Sequence, residues 1–138
     1  MQQRLIVRGI LRDVEGRIFT ARRACTKRFF PDIYELPGRW VEFGEQFSDA
    51  LCREFYEECG VKITVGAIAR VGTALLEDMH LAEVFYFVEL LNPDWSLTIK
   101  PEDHSEMRWW TQAEFEREWE SKHPDFQAMQ KAYAIISR

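Results

Sequence analysis

The feature that most constrains this chain is a charged stretch at residues 36–61, in which five glutamates are interspersed with three glycines. Its second half has a helical period, since Leu51, Phe55 and Cys59 recur at four-residue intervals. Ser48 is a suitable N-cap and Gly60 a suitable C-terminal stop. The pattern therefore predicts a helix of about three turns that begins at Ser48.

Three glutamates of this helix cluster on one face, because Glu54, Glu57 and Glu58 are spaced at i, i+3 and i+4. An acidic face of this kind is ordinarily just solvated. A divalent cation would reverse the repulsion, and Mg²⁺ or Mn²⁺ takes such oxygens together with water and substrate phosphate. Arg53 can pair with Glu57, and Glu45 can reach the cluster from the preceding loop.

The spacing of the whole stretch resembles the Nudix box, G-x5-E-x7-R-E-U-x-E-E-x-G-U, where U is aliphatic or aromatic. The positions that match are Glu45, Arg53, Glu54, Phe55, Glu57, Glu58, Gly60 and Val61. The box's first glycine is replaced by Arg39, which follows Gly38. Arg39 must adopt an ordinary backbone conformation or carry strain. It either weakens catalysis by rearranging the loop or helps to grip a substrate phosphate.

The resemblance implies a fold and a reaction. The implied fold is α+β, an α/β/α sandwich with a mixed β-sheet flanked by helices, formed by residues 1–138 as one domain. The implied reaction is hydrolysis of a nucleoside diphosphate linked to another group, dependent on Mg²⁺ or Mn²⁺. Glu54, Glu57 and Glu58 would ligate the metal, with Glu45 as an auxiliary ligand or a structural carboxylate. Arg53 would orient a glutamate.

Further site residues are expected from the resemblance outside the helix. The group that activates water is either a box glutamate, with Glu57 and Glu54 as candidates, or a carboxylate of a late loop. The late-loop candidates are Glu102, Asp103 and Glu106, of which Glu106 ranks first. His104 lies in the same loop and is expected to be a solvated surface histidine.

Substrate contacts are expected from two arginines and from the loop before the helix. Arg22 and Arg23 end the second strand, and alternation predicts that one of them faces the site. Gly38 and Arg39 are the expected contacts from the loop. The leading hypothesis for the reaction is a MutT-like nucleoside triphosphate pyrophosphohydrolase. The alternatives are a hydrolase of nucleotide sugars or other conjugates, and a catalytically weakened nucleotide-binding domain.

The rest of the chain reads as strands followed by helices. Residues Leu5 to Val14 and Arg17 to Ala21 are expected to pair as a β-hairpin, and so are Val61 to Leu76 and Leu81 to Leu91. A strand from Met107 to Trp110 and two helices, from Gln112 to Lys122 and onward to Ile136, complete the prediction.

Composition limits the partners of such a chain. A net charge of −5, without a block of Lys and Arg, argues against binding of duplex nucleic acid. No apolar run approaches the roughly 20 residues of a membrane-spanning helix. The three cysteines form no metal-ligand pattern, so reduced thiols and a cytoplasmic location are expected. Exposed sheet edges make a homodimer a further expectation.

Overall fold

The computed structural model describes residues 2–136. The strands of that part are β1 Gln2–Leu11, β2 Ile18–Arg23, β3 Tyr34–Glu35, β4 Gly38–Trp40, β5 Ile63–Leu76, β6 Met79–Leu90 and β7 His104–Trp110. Its helices are α1 Phe47–Cys59, α2 Gln112–Glu118 and α3 Phe126–Ile136. No helix in the described part is long and apolar enough to cross a membrane.

The strands form two sheets. The larger has the order β4-β1-β6-β5. It is mixed, because β1 pairs with β6 in parallel, whereas the pairs β1–β4 and β5–β6 are antiparallel. The smaller is antiparallel, with the order β3-β2-β7. β5 and β6 form the expected hairpin, which turns at Glu77 and Asp78.

The expected hairpin between the first two strands is wrong. β1 and β2 are joined by a tight turn, but they belong to different sheets and share only the isolated bridge between Arg12 and Ile18. β2 pairs with β7 instead, where the Trp110 Nε1 donates to Thr20 Oγ1 over 2.7 Å and Thr20 donates to the Arg108 carbonyl over 3.0 Å. The residue pattern identified two strands, but it carries no information about their partners.

Helices cover both sides of the sheets, which confirms the predicted α/β/α arrangement. α1 buries Leu51 and Phe55 in one core against Val7 of β1. α3 buries Met129 and Tyr133 in a second core, which also contains Trp110. The apolar residues of each helix repeat with the helical period and so form one face. Each helix buries this face against a sheet and exposes its other face to water.

The bounds of α1 and α2 each differ from the prediction at one end. α1 begins at Phe47 after Gln46, which makes no side-chain cap, so Ser48 is not the N-cap. Gly60 does end α1, with a left-handed φ of 70°. α2 begins with a capping box between Thr111 and Glu114 and ends at Glu118, earlier than expected. The first and last residues of a helix depend on local hydrogen bonds, so they are the least predictable part of a helix.

Candidate functional site

Arg53 organises the charged face of α1. Its Nε and Nη2 donate to the two carboxylate oxygens of Glu45 over 2.9 and 3.0 Å, and Nη2 also donates to the Trp40 carbonyl over 3.1 Å. Its Nη1 donates to Glu54 over 2.9 Å and to Glu57 over 3.3 Å. One guanidinium thus ties the loop before α1 to the helix and orients two of its glutamates.

Glu45 is held by the protein through both carboxylate oxygens. In addition to Arg53, the backbone N–H of Glu42 donates to it over 3.0 Å. The hydrogen bond from Arg53 is the main reason that the pKa of Glu45 lies below its usual value. Of the two roles that the sequence left open for Glu45, this arrangement fits the structural one.

Glu54 and Glu58 lie one helical turn apart and are both poorly solvated. Glu54 is 5% exposed, and its burial raises its pKa against the opposing effect of Arg53. Glu58 has no side-chain hydrogen bond to any residue in the range 2–136, and its burial, followed by the charge of Glu54, raises its pKa to about 8. Two such carboxyls suit Mg²⁺, which commonly takes one or two protein carboxylates and completes its shell with water and phosphate.

The four carboxylates predicted as ligands are not assembled into one cage. Across residues 2–136, no group of three or more His, Cys, Asp or Glu side chains is placed to hold a metal ion. Glu57 is exposed and forms an ion pair with Arg53, which also donates hydrogen bonds to Glu45. Arg53 also donates to Glu54, so among the four carboxylates only Glu58 has no hydrogen bond to this guanidinium, a division that spacing alone could not reveal.

A cavity of about 390 Å³ lies beside α1 and includes Glu58 in its wall. Five cationic side chains also line it, namely Arg8, Arg23, Lys27, Arg39 and Lys122. Three aromatic side chains contribute to the same wall: Phe29, Phe30 and Trp40. The cavity thus combines a poorly solvated carboxyl, positive charge and flat apolar surface, which is the composition expected of a ligand site.

Arg39 lies at the cavity in an ordinary backbone conformation. It is not among the non-glycine residues with positive φ, so the strain considered for it is absent. Gly38 has the unusual φ, +136°, and a Cβ at that position would collide with the Val7 carbonyl oxygen. The Arg39 side chain is exposed, and its charge acts to lower the pKa values of Glu54 and Glu58.

The paired arginines at the end of β2 face different surroundings. Arg23 lines the cavity and donates to the Phe29 carbonyl over 2.9 Å and to Glu35 over 3.2 Å. Arg22 instead donates to Glu106 over 3.0 Å. Of the two arginines, Arg23 therefore lines the candidate cavity and Arg22 does not.

The late-loop carboxylates are also divided. Glu106 accepts hydrogen bonds from Arg22 and from Tyr34 Oη, over 2.7 Å in the second case, and it is not part of the cavity wall. The structure therefore does not bring Glu106 together with Glu58. Asp103 does line the cavity, where Lys27 donates to it over 2.6 Å.

A buried charged network on the cavity floor was missed by the sequence analysis. Glu35 lies 3.2 Å from Arg8 Nη1 and from Arg23 Nη1, and shares a hydrogen bond of 2.9 Å with His104. Burial alone would raise the pKa of Glu35, but the Arg8 charge and the His104 hydrogen bond outweigh it and lower the pKa to about 2. His104 is 5% exposed, so the expectation of a solvated histidine is wrong.

One signal for this network was present in the sequence. Arg8 lies two residues from Ile6 and from Ile10 in the first strand, so its side chain shares their inward-facing side of the sheet. An arginine in such a row requires buried acidic partners. Glu35 and His104 come from β3 and β7, however, and only the folded sheet brings them to Arg8.

Comparison with known proteins gave one family and several similar proteins. The family described as NUDIX domain matches residues 2–131. An uncharacterized Nudix hydrolase from Streptomyces coelicolor is 48% identical over 50 residues, which are 36% of this chain and 28% of that protein. The chain thus spans less than a third of that relative.

Solved structures resemble the chain over nearly its full length. A MutT protein from Methanosarcina mazei has a TM-score of 0.83 at 17% identity, with 99% of this chain and 97% of that chain covered. A UDP-X diphosphatase has a TM-score of 0.73 at 15% identity, with 98% and 63% covered. At these identities the likeness shows a shared fold.

Proposed function

The chain belongs to the NUDIX domain family, and from this membership we propose that it hydrolyses a nucleoside diphosphate linked to another group, with Mg²⁺ or Mn²⁺ as cofactor. The observation that carries the proposal is the placement of Glu58, a poorly solvated carboxyl with no protein hydrogen bond among residues 2–136, in a cavity that five cationic side chains also line. A cation-bridged diphosphate would satisfy both kinds of charge.

We assign the metal to the carboxylates of Glu54 and Glu58, with Glu57 as a further candidate. When bound there, a divalent cation would offset the negative charge of the phosphate oxygens and favour attack by water. Arg53 would position Glu54 and Glu57 through its Nη1. Glu45 would act indirectly, by fixing Arg53.

We propose a glutamate of α1 as the group that takes the proton from the attacking water. Glu57 is the preferred residue because it is half exposed and lies on the same helix face as Glu54. Glu106 is the weaker candidate, since it lies on β7 and hydrogen bonds from Tyr34 and Arg22 hold its pKa below the usual value.

Arg39 is our proposed contact for a substrate phosphate, at the position of the first glycine of the box. Its guanidinium has no hydrogen bond or ion pair to a residue in the range 2–136, whereas Arg23 and Lys27 are paired with Glu35 and Asp103. An unpaired guanidinium at the cavity can make a two-pronged contact with phosphate. Gly38 supports it by allowing β4 to approach β1.

The leading substrate class is a nucleoside triphosphate, by analogy with the MutT protein. The likeness to that protein covers 97% of its chain. A nucleotide conjugate is the alternative, favoured by the likeness to the UDP-X diphosphatase. The products separate the two: a triphosphate gives a nucleoside monophosphate and pyrophosphate, whereas a conjugate gives a monophosphate and a phosphorylated second group. Nucleotide binding without turnover is the third possibility.

The experiment is a release assay with a panel of nucleoside triphosphates and nucleotide sugars, with and without Mg²⁺. We expect turnover that requires Mg²⁺ and that falls at least ~100-fold in Glu58→Gln. The Glu89→Gln variant, at an exposed position of β6, is the matched control and should retain activity. Binding of Mn²⁺, followed by electron paramagnetic resonance, should weaken in Glu58→Gln but not in the control. Mg²⁺-independent turnover would contradict the proposal.

We also propose a cytoplasmic location and a homodimer. The location is supported by Cys25, Cys52 and Cys59, which are all free thiols. The dimer is supported by β5, an edge strand with the exposed apolar residues Val71 and Leu75. Sedimentation equilibrium should give twice the chain mass if the dimer forms.

A further inference from the structure

Glu83 is a buried acidic residue of the cavity that the reaction proposed above does not use. It lies on β6, in register with Ile6 of β1 on one side and Gly72 of β5 on the other. Its side chain lines the cavity, although the residue is only 6% exposed. A buried carboxyl on a central strand of a sheet is uncommon unless a polar or charged group pairs with it.

No residue in the described range 2–136 hydrogen-bonds or forms an ion pair with the Glu83 carboxyl, although two arginines lie near enough to influence its charge. Both are engaged elsewhere: Arg8 donates to the Leu36 carbonyl over 2.9 Å, and Arg70 donates to Gln127 over 2.6 Å. Burial raises the pKa of Glu83, and Arg8 only partly opposes it. The carboxyl thus lines the cavity without a protein partner among the described residues, so a ligand in the cavity can hydrogen-bond to it.

The surroundings of Glu83 suit a flat ring. Apolar side chains of the sheet, Ile6 and Leu81, lie beside it in the cavity wall. The aromatic side chains Phe29 and Trp40 contribute to the same wall and offer faces for stacking. Glu83 and Glu58 both line this cavity, and the charges of both act on Arg8, which lines it as well. A nucleotide could therefore present its phosphates to Glu58 and its base to Glu83.

We propose that Glu83 recognises the base of the substrate by accepting two hydrogen bonds from neighbouring N–H groups on its edge. An ionised carboxylate only accepts, and its two oxygens match two parallel donors. Among the common bases, guanine alone has a ring N–H beside an amino group, since adenine and cytosine place an acceptor beside the amino group and uracil has one N–H between two acceptors. The inference rests on the proposed nucleotide substrate and names guanine as its base.

The first test compares GTP with ITP, which lacks only the amino group of the base. We expect wild type to prefer GTP by about 10- to 100-fold in kcat/KM, as is typical of a lost hydrogen bond to a charged group. In Glu83→Gln the preference should fall to within about threefold. Glu89→Gln, an exposed position of the same strand, is the matched control and should keep the wild-type preference. Equal use of GTP and ITP by wild type would overturn the inference.

A binding measurement separates this inference from the proposed reaction. Calorimetric titration with GMP and IMP, without metal, measures recognition of the base in the absence of hydrolysis. Tighter binding of GMP by wild type, lost in Glu83→Gln, supports the inference even if no nucleotide is hydrolysed. Equal binding of GMP and IMP refutes it even if the protein proves to be an active pyrophosphohydrolase. Thermal unfolding of both variants confirms that the comparison is made on folded protein.

Discussion

Arg53 and Glu45 are joined by two parallel hydrogen bonds, of 2.9 Å from Nε and 3.0 Å from Nη2. The remaining donors of the same guanidinium contact Trp40, Glu54 and Glu57. The planar fork thus connects a loop, a strand and a helix at one point. A point charge of the same sign would not reproduce these directions.

Arg53→Lys should therefore lose activity while the charge is kept. We expect kcat to fall by at least about 10-fold and the free energy of unfolding by about 1–2 kcal/mol, because most of the charge-assisted hydrogen bonds are removed. Steady-state kinetics and urea unfolding measure the two effects. Arg28→Lys, whose partner Glu77 is exposed, is the control and should change neither quantity. Full activity of Arg53→Lys would show that the fork is not needed.

Arg39→Gly should raise KM about 10-fold with little change in kcat. The residue has an ordinary backbone conformation, so glycine relieves no strain, and the loss of one phosphate contact accounts for roughly 1.4 kcal/mol of binding. Arg39→Lys should recover part of the loss. The measurement is a substrate titration with the best nucleotide of the panel. A gain of activity in Arg39→Gly would mean instead that the arginine impairs the site.

Gly38→Ala should destabilise the fold more than Gly44→Ala. Both glycines have positive φ, +136° and +82°, but only at Gly38 would a Cβ collide with the backbone of Val7. We expect about 1 kcal/mol of destabilisation at Gly44 and at least about 3 kcal/mol at Gly38, because a clash with β1 is added to the backbone cost. Urea unfolding of both variants checks the order, and equal losses would contradict it.

Glu35 should make stability depend on acid pH. Its pKa is lowered from 4.5 to about 2, so the unfolded chain binds more protons between these values and stability falls as pH decreases from about 4.5 towards 2. Glu35→Gln should cost about 3 kcal/mol at pH 7, because Arg8 loses a buried partner. The difference from wild type should shrink through the same window. Unfolding at several pH values measures it, with the exposed Glu102→Gln as control.

The sequence predicted well those features that depend on local spacing. The helix face with Glu54, Glu57 and Glu58 follows from a period of 3.6 residues, and Gly60 ends the helix as expected. The hairpin of β5 and β6 follows from two strands separated by a short turn. Each of these features is decided within a few residues of chain.

The parts that could not be predicted depend on distant partners. The run of β-branched residues predicts the strand that contains Arg8 but not the strand beside it, so the expected antiparallel pairing of β1 with β2 was wrong. His104 seemed solvated because its neighbours in sequence are polar, whereas its inward direction is set by the pairing of β7 with β2. Glu83 was overlooked for the same reason, since its surroundings come from β1 and β5.

The parallel pairing of β1 with β6 has a consequence for synthesis of the protein. Gln2 pairs with Met79 at one end and Leu11 with Val88 at the other. The two central strands of the larger sheet are therefore β1, the first of the chain, and β6, from its second half. While the ribosome synthesises α1 and β5, β1 therefore cannot yet pair with β6. Val7 and Ile10, which are buried in the folded protein, are then exposed. Such distant pairing is slow to form and prone to aggregation before it forms. A nascent chain that ends before β6 should depend on chaperones, and release from them should follow the emergence of that strand.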